Sequence, residues 1–313
     1  MNRKEKIPFW KRPMPDEWRS TSFWKETGWA YVYLAPALII LAAFTFYPFF
    51  SAFYISLFKV KITDFPGTYV GLKNFAYVFR DRYFWQALWN TLTIVATSVP
   101  TTIVLALGVA TLLNKSLKIR TFARTSFFLS YITPTVAVIM VWRLMFNESY
   151  GLLNYLIGLF GIHRIAWLND KAFSIPAVVI LSVWRYVGYQ AIILLAGMQG
   201  IDPMYYEAAR IDGASGFQLW KKITVPLLTP QIFFLLIISM NGSFKIFEEV
   251  FVLFNGPGVL NSAETLVYYI IRQGFQFTPH YGRAAAASIV LFGIIFLVTL
   301  LQMYVARKRV HYQ

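Results

Sequence analysis

The chain has 313 residues, 58% of them hydrophobic, 19% aromatic and only 14% charged. Soluble domains average roughly 45–50% apolar and about 25% charged residues, so this is the composition of a polytopic membrane protein. Cysteine is absent and the three histidines (His163, His280, His311) are scattered, which excludes disulfides and thiolate metal sites, while a net charge of +15 fits cytoplasmic loops beside lipid headgroups and not nucleic acid.

In chain order, residues 1–29 are polar and basic, with Arg3, Lys4, Lys6, Lys11, Arg12, Arg19 and Lys25. No early apolar stretch or small-residue cleavage site marks a signal peptide, so this tail is expected to stay, with Trp18, Trp24 and Trp29 suited to the interface. Six apolar segments follow, at about 30–57, 91–113, 125–146, 173–199, 230–254 and 284–305, each near the ~20 residues that cross a ~30 Å hydrocarbon core. The expected architecture is all-α, with six transmembrane helices. Tyr47 and Pro48, Pro134 and Pro176 are expected to shape the first, third and fourth of them.

Lysine and arginine in short loops set the orientation. The loop after the second span carries Lys115, Lys118, Arg120 and Arg124 with no acid, and the chain ends in Arg307, Lys308 and Arg309. The 147–171 segment has one clear positive charge, Arg164, and reads as a short amphipathic helix on the outer surface. Only the 58–90 loop, with Lys59, Lys61, Lys73, Arg80 and Arg82, blurs the contrast. Both termini are therefore expected in the cytoplasm, and the loop at 200–228 with them.

That loop holds the most informative motif. Asp202-Pro203 is a helix opening, an N-cap acceptor followed by proline in the first turn. About ten residues later Gly213 supplies the left-handed stop that P-capped helices commonly use. Ala208 and Ala209 let a partner's backbone approach closely, and Glu207 and Asp212 add charge. Ser215 is expected to cap a second helix carrying Phe217, Trp220 and Ile223, ended by Pro226. Thr229-Pro230 is expected to open the fifth span by the same cap-plus-proline chemistry. By itself this pattern is equally an ordinary capped helix joining two spans.

Glu207-Ala208-Ala209, Gly213 and the Ile223-x-x-Pro226-Leu227 ending resemble the EAA loop of ABC importer permeases. Val70-Gly71-Leu72-Lys73-Asn74-Phe75, Phe84-Trp85-Gln86-Ala87-Leu88-Trp89-Asn90-Thr91 and Glu264-Thr265-Leu266-Val267-Tyr268-Tyr269 resemble the carbohydrate-uptake branch, closest to the first permease of maltose or glycerol-phosphate systems. The likeness runs from about residue 30 to 305. The family's usual Thr-Gly-Gly-Gly-Pro is here Phe254-Asn255-Gly256-Pro257-Gly258, and the N-terminal tail matches nothing in it. The resemblance implies a type I importer permease in the cell (inner or plasma) membrane, with cytoplasmic tails at 1–29 and 306–313 around a permease domain at 30–305. It implies that Glu207, Ala208, Ala209, Asp212, Gly213 and Ala214 form the coupling helix for a cytoplasmic ABC ATPase dimer. It also implies a second permease subunit and an extracytoplasmic solute-binding protein. Consistent with a separate motor, the chain has no Gly-x-x-x-x-Gly-Lys-[Ser/Thr] phosphate cradle, so ATP and Mg are expected on the ATPase and no cofactor on this chain.

Polar groups inside spans are costly and mark cavities or mutual pairing. Arg185, flanked by Trp184, Tyr186 and Tyr189 with Ser182 a turn earlier, offers aromatic faces beside hydrogen-bonding groups, a combination that suits sugar rings or helix–helix packing. Lys245 and Glu249, at i and i+4, are expected to neutralise each other. Aligned on the family's sugar site, the resemblance points to Tyr131 and Thr135, then Ser182, Tyr186 and Tyr189, then Ser239, Gly242 and Ser243 as the substrate path. An oligosaccharide is the leading solute, with glycerol-phosphate, polyol or anionic sugar as alternatives. An ion-coupled secondary transporter would want an embedded carboxylate relay, and the in-span acids are only Glu248 and Glu249 near one surface. A membrane-embedded transferase would want a His/Asp/Glu constellation, and none is spaced for it.

Overall fold

The structure is a computed structural model describing residues 21–61, 64–114, 120–276 and 279–309. The expectations placed on residues 1–20, on Lys115 and Lys118, and on the last four residues lie outside these. By internal contacts the chain forms two compact units, residues 1–54 and 55–313. In the first, helix α1 (Thr21–Leu41) passes through a π-helical turn at Ala42–Phe46 into α2 (Tyr47–Ser56). Pro48 has no N–H to return to the carbonyl four residues earlier, and the wider turn sits beside that gap.

The second unit opens with a hairpin absent from the sequence reading, β1 (Phe58–Lys61) antiparallel to β2 (Asp64–Tyr69), pairing Phe58 with Tyr69 and Lys59 with Thr68. Helix α3 (Lys73–Arg80) follows, and Asn74 donates to the Ser56 and Phe58 carbonyls at 2.7 and 2.9 Å. Two unbroken helices then form the frame: α4 (Arg82–Asn114) and α8 (Lys171–Gln199), each long enough to cross a bilayer. They pack through small residues, with Ala106, Ala110 and Ala191 fully buried between Leu113, Leu194 and Leu195. Small side chains let membrane helices approach closely, where dispersion replaces the absent hydrophobic drive.

The third apolar segment is broken. Helix α5 (Arg120–Ile132) and α6 (Thr135–Met145) meet at 103°, because Pro134 cannot donate into the ladder and pushes Thr133 out of helical geometry. The outer segment contains α7 (Leu152–Gly158), in agreement with the expected short helix. Beyond α8, the cytoplasm-assigned loop folds as α9 (Pro203–Ile211), α10 (Gly216–Leu219), a π-helical stretch at Trp220–Thr224 and α11 (Val225–Leu227), which bends by 61° into α12 (Thr229–Ser243).

Three expectations need correction here. Pro226 does not end the second short helix but lies in the first turn of α11, where its missing N–H is harmless. Thr229 is itself helical, and its hydroxyl donates back to the Pro226 carbonyl instead of capping α12. The fifth segment is not one helix: it stops at Ser243 and resumes as α13 (Glu248–Phe254). Lys245 is thus exposed in the break and Glu249 buried in the first turn of α13, so i,i+4 pairing between them is lost. Helix α14 (Leu266–Phe275) and α15 (Tyr281–Arg309) complete the unit, the latter with a 26-residue apolar span at Tyr281–Ala306.

The N-terminal part of α4 is laced to the segment that leads into α14. Gln86 and Asn90 on α4 donate to the Leu260, Asn261 and Glu264 carbonyls, and the Leu266 N–H donates to Thr91 Oγ1 at 2.9 Å. The two sequence motifs around residues 84–91 and 264–269 therefore bind each other.

A cavity between broken helices and a docking helix

The breaks create the candidate site. Tyr131 lies on the last turn of α5, three residues before Pro134, and Ser239, Gly242 and Ser243 lie on the last turns of α12. Both broken ends lean on the unbroken α4 and α8. Between them is a cavity of about 220 Å³ lined by Tyr131, Ser182, Tyr186, Tyr189, Ser239, Gly242 and Ser243, all expected from the sequence. Ser98, Val99 and Thr102 of α4, Gln190, Ile238 and Ile246 line it as well and were missed. Helical spacing held their signal: Ser98 and Thr102 are i and i+4, and Gln190 falls eight residues after Ser182, on one face of α8.

The aromatic groups are arranged as a platform. The Tyr131 and Tyr189 rings stack with centroids 4.3 Å apart and planes 15° apart, and Tyr186 stands 6.1 Å from Tyr131 at 57°. Gln190 Nε2 donates to Ser239 Oγ at 2.8 Å, joining α8 to α12. Every lining side chain is uncharged.

Arg185 and Thr135 are placed beside this cavity and not on its wall. The Arg185 Nη2 donates to Thr135 Oγ1, its guanidinium sits 5.6 Å from the Tyr186 ring centroid, and its carbonyl accepts from Ser130 Oγ at 3.3 Å. Ser130 precedes the Pro134 kink and Thr135 follows it, so one residue of α8 fastens both halves of the broken segment. Gly188 brings the same helices into backbone contact: a Cβ there would lie 1.9 Å from the Phe127 carbonyl oxygen.

At the other end of α8 the coupling-type helix is built as the sequence implied. Asp202 accepts from the Met204 N–H at 2.8 Å, and Pro203 occupies the first turn. At the far end Ala214 N–H reaches the Ala209 carbonyl at 2.9 Å and Gly213 N–H reaches Arg210 at 3.0 Å, with Gly213 at φ +77°. These paired bonds make the Schellman stop. Ser215 and Gln218 then form a reciprocal capping box. No residue of α9 is buried, and Glu207, Ala208, Asp212 and Gly213 are exposed, with Ala209 and Ala214 intermediate. Met204, Tyr205, Ile211 and Phe217 also face outward. The helix is tied down from behind, by Tyr206 to Thr224 at 3.0 Å and by Trp220 Nε1 to Thr111 of α4 at 3.1 Å. Among the described residues no cluster of three or more potential metal ligands occurs.

Comparison with known proteins places the chain in a family. Residues 98–311 match the family described as "Binding-protein-dependent transport system inner membrane component". The chain is 34% identical over 290 residues to the inner membrane ABC transporter permease protein YcjO of Escherichia coli (strain K12), covering 91% of this chain and 95% of that protein. It is 32% identical over 288 residues to the trehalose/maltose transport system permease protein MalF of Thermococcus litoralis, covering 91% and 96%. Among solved structures, a chain of a bacterial ABC transporter involved in the import of the acidic polysaccharide alginate superposes with a TM-score of 0.78 at 26% identity, covering 91% of this chain and 96% of that one. The same transporter is known in complex with an alginate pentasaccharide-bound periplasmic protein.

Proposed function

The chain belongs to the family of binding-protein-dependent transport system inner membrane components, and from that membership we propose that it is one permease half of an ATP-driven sugar importer. Each bent pair counts as one crossing in this reading, giving six spans with both termini and α9 in the cytoplasm. A second permease supplies the other wall of the path, an extracytoplasmic binding protein delivers the solute, and a separate ATPase dimer binds ATP and Mg and pushes on α9.

The observation that carries the reading is the cavity at the tips of α5 and α12. Stacked tyrosines beside hydroxyl and amide groups are what a sugar requires, since its C–H faces stack while its hydroxyls need partners. At about 220 Å³ the cavity is smaller than the ~300–1,000 Å³ of sites that enclose a drug-sized ligand, as a half-site completed by a partner would be. Helix α8 supports the coupling role. It runs unbroken over 29 residues from the outer loop, past the cavity, to the three residues preceding α9. A push at α9 is thereby transmitted along a rigid rod to the cavity wall, the kind of rocking that alternates access.

The neutral lining favours an uncharged oligosaccharide over a glycerol-phosphate or anionic sugar. The test is uptake by the reconstituted importer with and without its ATPase. Sugar uptake that needs ATP and the ATPase subunit, and that survives collapse of ion gradients, is expected. Uptake driven by an ion gradient alone would overturn the proposal in favour of a secondary transporter.

A further inference from the structure

We propose that Ser98 of α4 and Gln190 of α8 form, with Ser182, a hydroxyl-reading subsite that extends the sugar path onto the α4 wall and selects an uncharged sugar. The inference rests on the permease reading above and adds to it two recognition residues on a wall that the sequence left blank.

Three observations meet at this place. Ser98, Ser182 and Gln190 are 2%, 3% and 3% exposed, yet all three line the cavity. Ser98 Oγ, Ser182 Oγ and Gln190 Oε1 have no hydrogen-bond partner among the described residues. Buried polar atoms are nearly always satisfied, so three that converge on one cavity are groups kept for something that enters it. Nor is this how α4 treats its other buried hydroxyls, Thr91 and Thr102. Thr91, Thr93, Thr97, Thr102 and Thr111 each return theirs to the carbonyl four residues back, the usual disposal on an apolar helix. Ser98 does not.

The chemistry of the trio names its ligand. Gln190 Nε2 is already committed to Ser239 Oγ, so Oε1 remains as an acceptor only. A carboxylate or phosphate oxygen opposite it would be repelled, and no cationic side chain lines the cavity to offset that. Each serine hydroxyl both donates and accepts. A group that donates to one neighbour and accepts from another is a hydroxyl.

The experiment uses the complete importer in vesicles: this chain, its partner permease, the ATPase dimer and the binding protein. Radiolabelled maltose, trehalose and lactose are the neutral probes, and a monodeoxy analogue of whichever is transported reports hydroxyl recognition. In the native complex the parent sugar is expected to enter about tenfold faster than the analogue, the discrimination of one hydrogen bond of ~1.4 kcal/mol. Gln190→Leu should slow the parent sugar by about that factor and erase the preference, with assembly verified by size exclusion. Ser98→Ala removes a single oxygen from a small residue and decides the matter if Gln190→Leu fails to assemble. Assembled variants that keep both the native rate and the native preference would overturn the subsite while leaving the permease reading intact. A native complex that hydrolyses ATP but takes up none of the three sugars would instead overturn the sugar reading, and the subsite with it.

Discussion

Gly213 stands at φ +77° with nothing within 4 Å of where a Cβ would be. Its requirement is therefore conformational, and a left-handed residue other than glycine costs about 1–2 kcal/mol. Gly213→Leu should distort the Schellman stop and add bulk to the surface proposed to meet the ATPase. The expected outcome is at least a tenfold fall in sugar transported per ATP hydrolysed, measured on the reconstituted complex. An unchanged ratio would remove α9 from the coupling path. Arg185 shows the opposite lesson. Its sequence neighbours, Trp184, Tyr186 and Tyr189, suggest a sugar-facing cation, but folding turns the guanidinium to Thr135, where it fastens a kink.

Among the elements, α5 and α12 carry most of what is distinctive, because both stop inside an apolar segment. The α5 break was legible: Pro134 forces it. The α12 break was not, since Phe244-Lys245-Ile246-Phe247 contains neither glycine nor proline. Tertiary partners set it instead. Thr265 Oγ1 captures the Ile246 carbonyl at 2.6 Å, and the adjoining Leu266 N–H is taken by Thr91. A contact across 19 residues leaves no local pattern. The same reasoning explains why much of the lining from spans three to five was foreseen, though not Gln190, Ile238 or Ile246, while α4 was overlooked: Ser98 and Thr102 look alike in sequence, and only packing separates a back-bonded hydroxyl from a free one. The seating of α5 on α8 is itself testable. Gly188→Ala would place a methyl 1.9 Å from the Phe127 oxygen, which backbone alone can relieve. Overpacking of this kind costs about 1–3 kcal/mol. A melting temperature lowered by several degrees in detergent is expected, and an unaltered melt would mean that the two helices are not in backbone contact.

At the scale of the whole molecule, the N-terminal part of α4 and the segment that leads into α14 are held by a polar lattice whose charge depends on pH. Glu264 lies outside the spans, is fully buried, and has Arg272 Nε 3.0 Å from its carboxylate. Burial raises its pKa to about 7, the Arg272 charge opposing this and Asp81 adding to it. Folding thus favours the neutral acid. Its contribution is complete below the ordinary carboxylate range near 4.5 and is lost as pH rises through about 7. The difference amounts to about 3 kcal/mol at most. The purified complex should therefore melt at a higher temperature at pH 5 than at pH 8, and Glu264→Gln should flatten that slope. A wild-type melt indifferent to pH over this interval would show that Glu264 is ionised throughout. In the reading proposed above, the solute meets the tips of the broken helices α5 and α12 together with the facing walls of α4 and α8. Gly242 sits on one such tip with no atom near its missing Cβ. A side chain introduced there would extend into the cavity proposed to take the sugar, so a single codon change is expected to alter what passes while leaving the packed helices in place.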